Sequence, residues 1–326
     1  MKKFFKILLG LFGVLLLGII IAISYIQLAM PNVGEAPEIK IESTPELVKR
    51  GEYLANSVMV CMDCHSTRDW SKYSGPITPG TLGSGGETFN QAMGFPGEFY
   101  SRNITPFGIK DWSDGEVFRA ITCGVSKDGH AFFPVMPYPS YGKLDSMDII
   151  AVIAYLRTLP SIEKSVPESK PAFPFSIILK TIPQKAHFIK RPDSSNILAH
   201  GEYLANAANC IECHTQAEKG QIIRELGYAG GLEFKMPDGS ILRTPNITPD
   251  EETGIGSWSK QAFISRFKSY GDSSYHAPAV KQGEMQSIMP WTMYGTMTES
   301  DLGAMYEYLK SIPAKKNNVV RYSAKL

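Results

Sequence analysis

The sequence predicts an all-α protein in which an N-terminal transmembrane helix is followed by two tandem copies of one domain. Three observations predict this fold class: an apolar run at the N-terminus, an internal repeat, and apolar residues at helical spacing at the close of each copy. The chain has 326 residues, of which 43% are apolar, so it can bury two cores of ordinary size. No stretch shows the alternation of a half-buried strand, which favours helices throughout.

Residues 1–30 have the pattern of a membrane anchor. Lys2, Lys3 and Lys6 precede an uncharged, apolar run over residues 7–30, and about 20 such residues span a bilayer. A cleaved signal peptide is the alternative, but its apolar region is only about 7 to 15 residues long and ends at a small-x-small site. Because the basic residues come first, we expect a single-pass anchor in a bacterial cytoplasmic membrane, with the rest of the chain on the periplasmic face.

The net charge and the motif content of the sequence argue against several kinds of partner and activity. The chain has 33 basic and 32 acidic residues, a net charge of +1, so no global field favours nucleic acid or an acidic polymer. The sequence also lacks a phosphate-binding loop, a nucleophile elbow and an HExxH motif. We therefore predict no catalytic residues and no nucleic-acid partner.

Four of the five cysteines fall in two C-x-x-C-H motifs, at residues 61–65 and 210–214. This spacing is the signature of c-type haem attachment, in which two thiols one helical turn apart form thioethers and the adjacent histidine binds the iron. We therefore expect two covalently attached haem c groups. The predicted attachment residues are Cys61, Cys64, Cys210 and Cys213, and the predicted proximal iron ligands are His65 and His214.

Other uses of these cysteines fit the sequence less well. A zinc site needs four ligands at a recognisable spacing, and a thioredoxin-like redox pair needs a βαβ setting that neither motif has. The matched context of the two copies argues against a chance occurrence. The fifth cysteine, Cys123, has no counterpart in the second copy, and we expect it to be a buried, unreactive apolar residue.

The haem motifs belong to an internal repeat. Residues 50–65 read RGEYLANSVMVCMDCH and residues 200–214 read HGEYLANAANCIECH, which match apart from one inserted residue. Each copy continues with an Asn-Ile-Thr-Pro block, a Trp-Ser pair, a Met-Pro dipeptide and a final helical segment that ends at proline. The predicted segments are an anchor at 1–30, a first domain at 31–160, a proline-rich linker at 161–198, a second domain at 199–315 and a basic tail at 316–326.

Two of these segments carry further expectations. The linker contains a short apolar run over residues 175–182, which we expect to dock on one of the domains. We expect the tail, with Lys315, Lys316, Arg321 and Lys325, to be a solvated terminus.

Each copy should open and close with a helix. Thr44 suits the N-cap of the first opening helix and Pro45 its first position. Apolar residues at helical spacing predict closing helices over 146–159 and from Thr298 onward. Glycine at matched places on the two opening helices costs about 1 kcal/mol relative to alanine. Gly51 and Gly201 thus predict a close crossing by the closing helix, opposite Tyr155 or Leu156 and Tyr308 or Leu309.

Met136 and Met289 are the predicted sixth iron ligands. Both precede proline, both lie in loops before the closing helix, and both are 24 positions from the proline that ends the copy. The alternative is that they only fill the core, as most methionines do. Met293 and Met147 are the nearest rivals. Histidine and methionine on the two faces of a haem leave no open position for substrate and suit an electron carrier.

The Asn-Ile-Thr-Pro blocks offer candidate partners for the haem propionates. The first block begins at Asn103 and directly follows Arg102, and the second begins at Asn246, shortly after Arg243. A buried carboxylate needs hydrogen-bond donors or positive charge, which these side chains can supply. The alternative is that each block is only a turn and the tryptophan after it only a core residue.

With these motifs in place, the chain resembles the class I cytochrome c family, used twice. More closely, it is similar to the multi-haem cytochrome subunits of membrane-bound alcohol and aldehyde dehydrogenases, over residues 47–160 and 199–313. That resemblance implies two tandem cytochrome c domains that accept electrons from an exported dehydrogenase or a quinol donor and pass them to a respiratory acceptor. Those subunits usually carry three haems, whereas this chain has two motifs.

Two enzymes of similar composition are alternatives to an electron carrier. A di-haem peroxidase would need one of the two methionines to be idle, with His130, His187 or His276 in its place. A thiosulfate-oxidising di-haem enzyme would want a thiolate ligand, for which Cys123 is the candidate.

Overall fold

The protein begins with a long apolar helix. The computed structural model describes residues 2–218, 220–281 and 283–324, so Lys325 of the predicted tail lies outside the described residues. Helix α1 (Lys2–Ala29) has no buried residue. Within the described residues it is the one helix long and apolar enough to cross a membrane.

The first repeat contains six helices that end with the predicted closing helix. Thr44 accepts a hydrogen bond from the Leu47 N–H, and Pro45 occupies the first turn, as predicted for the opening helix. The closing helix begins at the Asp145 N-cap. The helices are α2 (Pro45–Tyr53), α3 (Cys61–Cys64), α4 (Pro106–Ile109), α5 (Asp114–Cys123), α6 (Tyr138–Tyr141) and α7 (Ser146–Thr158).

The second repeat follows the same order of helices, except that its described residues form no counterpart of α4. After the short linker helix α8 (Phe175–Ile178), Thr298 caps the closing helix as predicted by accepting from the Asp301 N–H. Matched Trp-Ser pairs precede α5 and the equivalent helix of this repeat. The helices are α9 (Ile197–Ala207), α10 (Cys210–Cys213), α11 (Lys260–Gly271), α12 (Trp291–Tyr294) and α13 (Glu299–Ser311).

The residue inserted in the first repeat is accommodated by a π-helical turn. Residues Leu54–Val58 continue α2 with wider turns, and the Met59 N–H donates to the Leu54 carbonyl, five residues back. One extra residue in a helix produces this widening without breaking the backbone hydrogen bonds. The π-helical turn therefore takes up the difference in length between the two opening segments.

The expectation of an all-α protein holds only in part, because short antiparallel strands occur between the helices. They form sheets of order β1-β2-β3, β4-β5 and β6-β7-β8. Each strand has only two to four residues, too few to establish the alternation by which strands are recognised. The strands are β1 (Thr88–Phe89), β2 (Gly97–Tyr100), β3 (Lys170–Pro171), β4 (Ala217–Glu218), β5 (Gln221–Ile222), β6 (Glu233–Lys235), β7 (Ile241–Arg243) and β8 (Tyr322–Ser323).

The linker and the tail both pack on the repeats. In the linker, Leu179 is buried and Phe175 meets the ring of Phe133 edge-on, so the apolar run docks on the first repeat as expected. The expectation of a solvated tail is wrong for its described part, because β8 pairs with β7 of the second repeat. The Tyr322 hydroxyl also donates to the Gly283 carbonyl at 2.6 Å.

The opening and closing helices of each repeat cross in direct backbone contact at the predicted glycines. A Cβ atom added to Gly51 would lie 1.8 Å from the Ala151 carbonyl oxygen, and one added to Gly201 would lie 2.0 Å from that of Ala304. The Cβ atoms of Tyr155 and Tyr308 are the next neighbours, at 3.0 and 2.9 Å. Only glycine fits at either crossing.

Crossed hydrogen bonds join the two repeats. The Tyr53 hydroxyl of α2 donates to Asp301 of α13 at 2.5 Å, and its counterpart Tyr203 of α9 donates to Asp148 of α7 at 2.8 Å. These four residues occupy matched positions of the repeat, so the two bonds are related by an approximate twofold axis. Buried apolar residues of both repeats form one continuous cluster, so the repeats share a core.

Each of these aspartates also binds the basic residue that opens its own repeat. Asp148 pairs with Arg50 at 2.8 Å, and Asp301 pairs with His200 at 2.8 Å. Arg191 of the linker also reaches Asp148 at 2.8 Å. Burial opposes ionisation of Asp148, but the hydrogen bond and charge of Arg50 outweigh it and lower the pKa of that carboxyl. The first repeat, the linker and the second repeat therefore meet at one charged carboxylate.

We expect Gly51→Ala and Gly201→Ala each to lower the free energy of unfolding by about 3 kcal/mol, because the new methyl group overlaps a backbone carbonyl that cannot move aside. Chemical denaturation followed by circular dichroism measures the change. Gly303→Ala is the matched control, since its Cβ meets the flexible end of the Lys260 side chain. Equal effects of all three variants would contradict the close crossing.

Candidate haem-binding sites

A left-handed residue precedes each C-x-x-C-H motif. Val60 has φ +46° and Asn209 has φ +56°, and each turns the chain sharply into the short helix that carries the two cysteines. Asparagine tolerates this conformation, whereas a β-branched valine adopts it only where the surrounding structure enforces it. The two thiols of each motif are thereby presented one turn apart on one helix, as attachment to a haem requires.

The histidine of each motif is held by a backbone carbonyl. The Nδ1 atom of His65 lies 2.7 Å from the Arg102 oxygen, and that of His214 lies 2.9 Å from the Pro245 oxygen. A carbonyl can only accept, so each Nδ1 carries the proton and each Nε2 is free to bind a metal. Burial lowers the pKa of both imidazoles, which favours the neutral, ligating form. The residues present fit a haem attached at each motif.

A tyrosine that sequence reasoning missed caps the chain just before each motif. The Tyr141 hydroxyl donates to the Met59 carbonyl at 2.9 Å, and the Tyr294 hydroxyl donates to the Ala208 carbonyl at 2.8 Å. Both tyrosines lie five residues after the predicted methionine ligands, in a matched Tyr-Gly dipeptide that could have revealed them. Each connects the methionine loop to the haem motif of its own repeat.

The two sites lie close to each other. Ser140, beside Tyr141, forms a 2.9 Å hydrogen bond with Asn209, the residue before the second motif. Burial also raises the pKa of the Tyr141 hydroxyl well above its usual value, so this hydroxyl keeps its proton and donates to Met59. Helix α6 of the first repeat is therefore bonded to the chain immediately before the second motif.

Both predicted methionine ligands lie in loops just before short helices, α6 and α12. Met136 and Met289 are partly buried and pack against the shared core. Of their rivals, Met147 is 56% exposed on α7, while Met293 is buried at 7% exposure within α12. The structure keeps the predicted pair in matched places, and their ligation of iron remains a prediction.

The two Asn-Ile-Thr-Pro blocks form turns in which the asparagine side chain is fully engaged. Asn103 accepts from both the N–H and the hydroxyl of Thr105, and it donates to the carbonyls of Ile162 and Lys164. Asn246 makes the matched bonds with Thr248 and donates to Thr253 and Lys315. These bonds connect the Asn-Ile-Thr-Pro turn of each repeat to the segment that follows its closing helix. Contact with haem propionates remains a prediction.

The two predicted arginines are also bonded to protein. Arg102 donates to the Pro167 carbonyl at 3.4 Å, and Arg243 pairs with Glu233 at 2.8 Å and donates to Ser323 at 2.9 Å. The backbone of Arg102 has a role that was not predicted, because its carbonyl holds His65.

Other candidate iron ligands are poorly placed. His130, His187 and His276 are exposed. Cys123 is buried in a small apolar cluster with Val33 and Val125, as expected of an unreactive residue. Within the described part of the chain, no group of three histidine, cysteine or acidic side chains is placed to hold a metal ion.

Comparison with known families agrees with this site. The cytochrome c family model matches residues 198–313. Residues 198–313 are therefore similar to a family whose members bind haem c covalently, and the C-x-x-C-H motifs with their fixed histidines agree with that match.

Named relatives are cytochromes as well. The cytochrome subunit of fructose dehydrogenase from Gluconobacter japonicus is 30% identical over 282 residues, 82% of this chain and 53% of the relative. The cytochrome c subunit of alcohol dehydrogenase (quinone) from Gluconobacter oxydans is 28% identical over 284 residues, 82% of this chain and 55% of the relative. A diheme cytochrome c-type protein from Cereibacter sphaeroides is 29% identical over 269 residues, 78% and 82% of the two chains.

The chain spans little more than half the length of the two dehydrogenase subunits. The resemblance to multi-haem dehydrogenase subunits, first inferred from the motifs, is confirmed by these matches.

We expect Tyr141→Phe and Tyr294→Phe each to lower the free energy of unfolding by about 1–2 kcal/mol, because each leaves a buried carbonyl unpaired. Denaturant titration of the purified protein measures the change. Tyr138→Phe is the matched control: it is equally buried, and among the described residues its hydroxyl has no hydrogen-bond partner. A loss in Tyr138→Phe as large as in the other two would show that the hydroxyl bonds are not the cause.

Proposed function

We propose that this chain is a membrane-anchored di-haem c-type cytochrome that carries electrons from an exported dehydrogenase or a quinol donor to a respiratory acceptor such as a terminal oxidase. The observation that carries the proposal is the pair of matched C-x-x-C-H sites, each with its histidine fixed for metal binding. The relatives named as dehydrogenase subunits support a dehydrogenase as the donor, and the diheme relative supports a count of two haems.

The proposal includes two cytochrome c domains, at residues 31–160 and 199–315, joined by the linker at 161–198 and followed by the tail at 316–326. The same order of helices in both repeats supports this division. So does the match of residues 198–313 to the family model, which covers the second domain.

In each domain the chain would supply both axial ligands of the iron. His65 with Met136, and His214 with Met289, would occupy the two faces and leave no position for oxygen or peroxide. When bound, each haem supplies reversible one-electron transfer. The hydrogen bond between Ser140 of the first repeat and Asn209, the residue before the second motif, supports electron exchange between the sites within one molecule.

The peroxidase alternative has no support. It requires a histidine to replace one methionine, and the three candidates lie exposed on the surface. The relatives are named as cytochrome subunits and a diheme cytochrome, which agrees with an electron carrier instead of an enzyme.

We expect Met136→Ala and Met289→Ala each to abolish one of two methionine-to-iron charge-transfer bands, because each removes one axial ligand. Absorption spectra of the oxidised protein measure the bands, and carbon monoxide added to the reduced protein should bind only the variants. Met147→Ala, at an exposed methionine, is the control. Carbon monoxide uptake by the unaltered protein would contradict His–Met ligation at both irons.

We further expect α1 to remain on the mature protein and to hold it in the cytoplasmic membrane. High salt should leave the protein in the membrane fraction, because salt screens charges but does not weaken burial of an apolar span. Mass spectrometry of the membrane-extracted protein should find peptides from residues 1–30. A soluble periplasmic protein that begins after these residues would show a cleaved signal sequence instead.

A further inference from the structure

A loop of the first repeat reaches the methionine loop of the second. Residues 71–73 pair with residues 278–280, where the Tyr73 N–H donates to the Pro278 carbonyl and the Val280 N–H to the Ser71 carbonyl, both at 2.8 Å. Residues 278–280 lie nine to eleven positions before Met289, the proposed ligand of the second haem. The first repeat therefore touches the second haem site through an element outside the shared core.

Ser74 binds the Met-Pro turn on both sides of Pro290. Its hydroxyl donates to the Met289 carbonyl and accepts from the Trp291 N–H at 3.3 Å. The side chain is almost fully buried, and its φ of +66° aims it across the boundary between the repeats. The two bonds fix the backbone on either side of the residue that carries the thioether.

Gln286 of the second repeat adds hydrogen bonds to the same loop. Ser74 and Gln286 together form a clamp on the turn that contains Met289. Its carbonyl oxygen accepts from the Ser74 N–H at 2.8 Å, and its amide donates to the carbonyls of Trp70 and Lys72 at 3.2 and 3.0 Å. Gln286 is also buried. Every polar atom of this side chain is thus used to hold the loop of the first repeat against the turn that contains Met289.

The loop is in turn fixed to the first haem motif. Arg68 pairs with Asp63, which lies between the two cysteines of that motif, at 2.8 Å. The same guanidinium donates to the carbonyls of Ser74 and Gly75 at 2.7 and 2.8 Å and lies 4.0 Å from the Trp70 ring centroid. Bonded contacts therefore run without a break from the first C-x-x-C-H motif to Met289.

The turn at Met136 is held differently. The Met136 N–H donates to the Phe133 carbonyl at 3.3 Å, and its carbonyl accepts from the Tyr138 N–H at 2.8 Å, both within the first repeat. The second turn has the matched local bond, from the Trp291 N–H to the Met289 carbonyl. It has the Ser74 clamp in addition.

We propose that Ser74 and Gln286 are positioning residues for Met289, through which the first repeat controls the strength of the second methionine–iron bond. This inference rests on the proposed function, in which Met289 is an axial ligand. Groups that orient a metal ligand typically change metal affinity 10- to 100-fold when they are removed. A neutral thioether is a weak ligand, so its bond depends strongly on a backbone that holds it in place.

The test is a titration of the oxidised holoprotein with imidazole, which displaces methionine from the iron. It is made in a Met136→Ala background, where the remaining charge-transfer band reports Met289. We expect Ser74→Gly and Gln286→Met each to increase the apparent imidazole affinity of the second haem about tenfold. Glycine accepts the positive φ, so Ser74→Gly removes the hydroxyl without adding strain.

Matched controls distinguish a loss of positioning at Met289 from a general destabilisation of the protein. Ser84→Ala alters a serine that is equally buried in the first repeat and whose hydroxyl, in the described part of the chain, has no partner; it should leave the affinity unchanged. In a Met289→Ala background, Ser74→Gly should not change displacement of Met136. Gln286→Met tests the same clamp from the other repeat if Ser74→Gly folds poorly.

The two possible failures are distinguishable. If Met289→Ala leaves both bands in place, the proposed ligation is wrong. If Met289→Ala removes a band but Ser74→Gly and Gln286→Met bind imidazole like the parent, ligation stands and the positioning role is overturned. An equal increase in imidazole affinity at both haems would also overturn this role, because the clamp contacts the turn at Met289 and not the turn at Met136.

Discussion

The glycine crossing of the opening and closing helices is the constraint on which each repeat depends. The haem motif follows the opening helix, and the methionine loop leads through a short helix, α6 or α12, into the closing helix. Backbone contact at Gly51 and Gly201 therefore fixes the histidine and the proposed methionine ligand relative to each other, although about 70 residues separate them in sequence. A larger residue at either crossing would separate the histidine from the proposed methionine ligand.

The crossed tyrosine–aspartate bonds extend this constraint from one repeat to the pair. Tyr53 and Tyr203 lie on the opening helices, two residues after the crossing glycines. The hydroxyl of each donates to an aspartate in the first turn of the other repeat's closing helix. Movement of one crossing must therefore disturb the other. A fixed relation between the two sites suits electron exchange, which needs no large motion of the protein, and it explains why the repeats share one core instead of packing as separate bodies.

Local signals predicted much of this architecture, and non-local contacts account for what was missed. Caps at Thr44 and Thr298, and the paired glycines, act within one helix or one crossing, so the sequence encodes them directly. Strands of two to four residues carry too little pattern to recognise. The tail strand and the Ser74–Met289 contact join residues about 80 and 215 positions apart, and no local pattern specifies such pairs. The propionate contacts and the ligation by Met136 and Met289 remain predictions.

Differences between the repeats matter more for function than their likeness. With the proposed histidine and methionine at both irons, the ligands themselves cannot distinguish the two sites, so any difference in potential must arise from the surroundings. The structure contains such differences: Arg50 in one repeat is replaced by His200 in the other, and Ser74 clamps only the second methionine turn. An electron carrier with two haems needs unequal potentials to favour one direction of flow. The contacts between the repeats are therefore where that direction would be set.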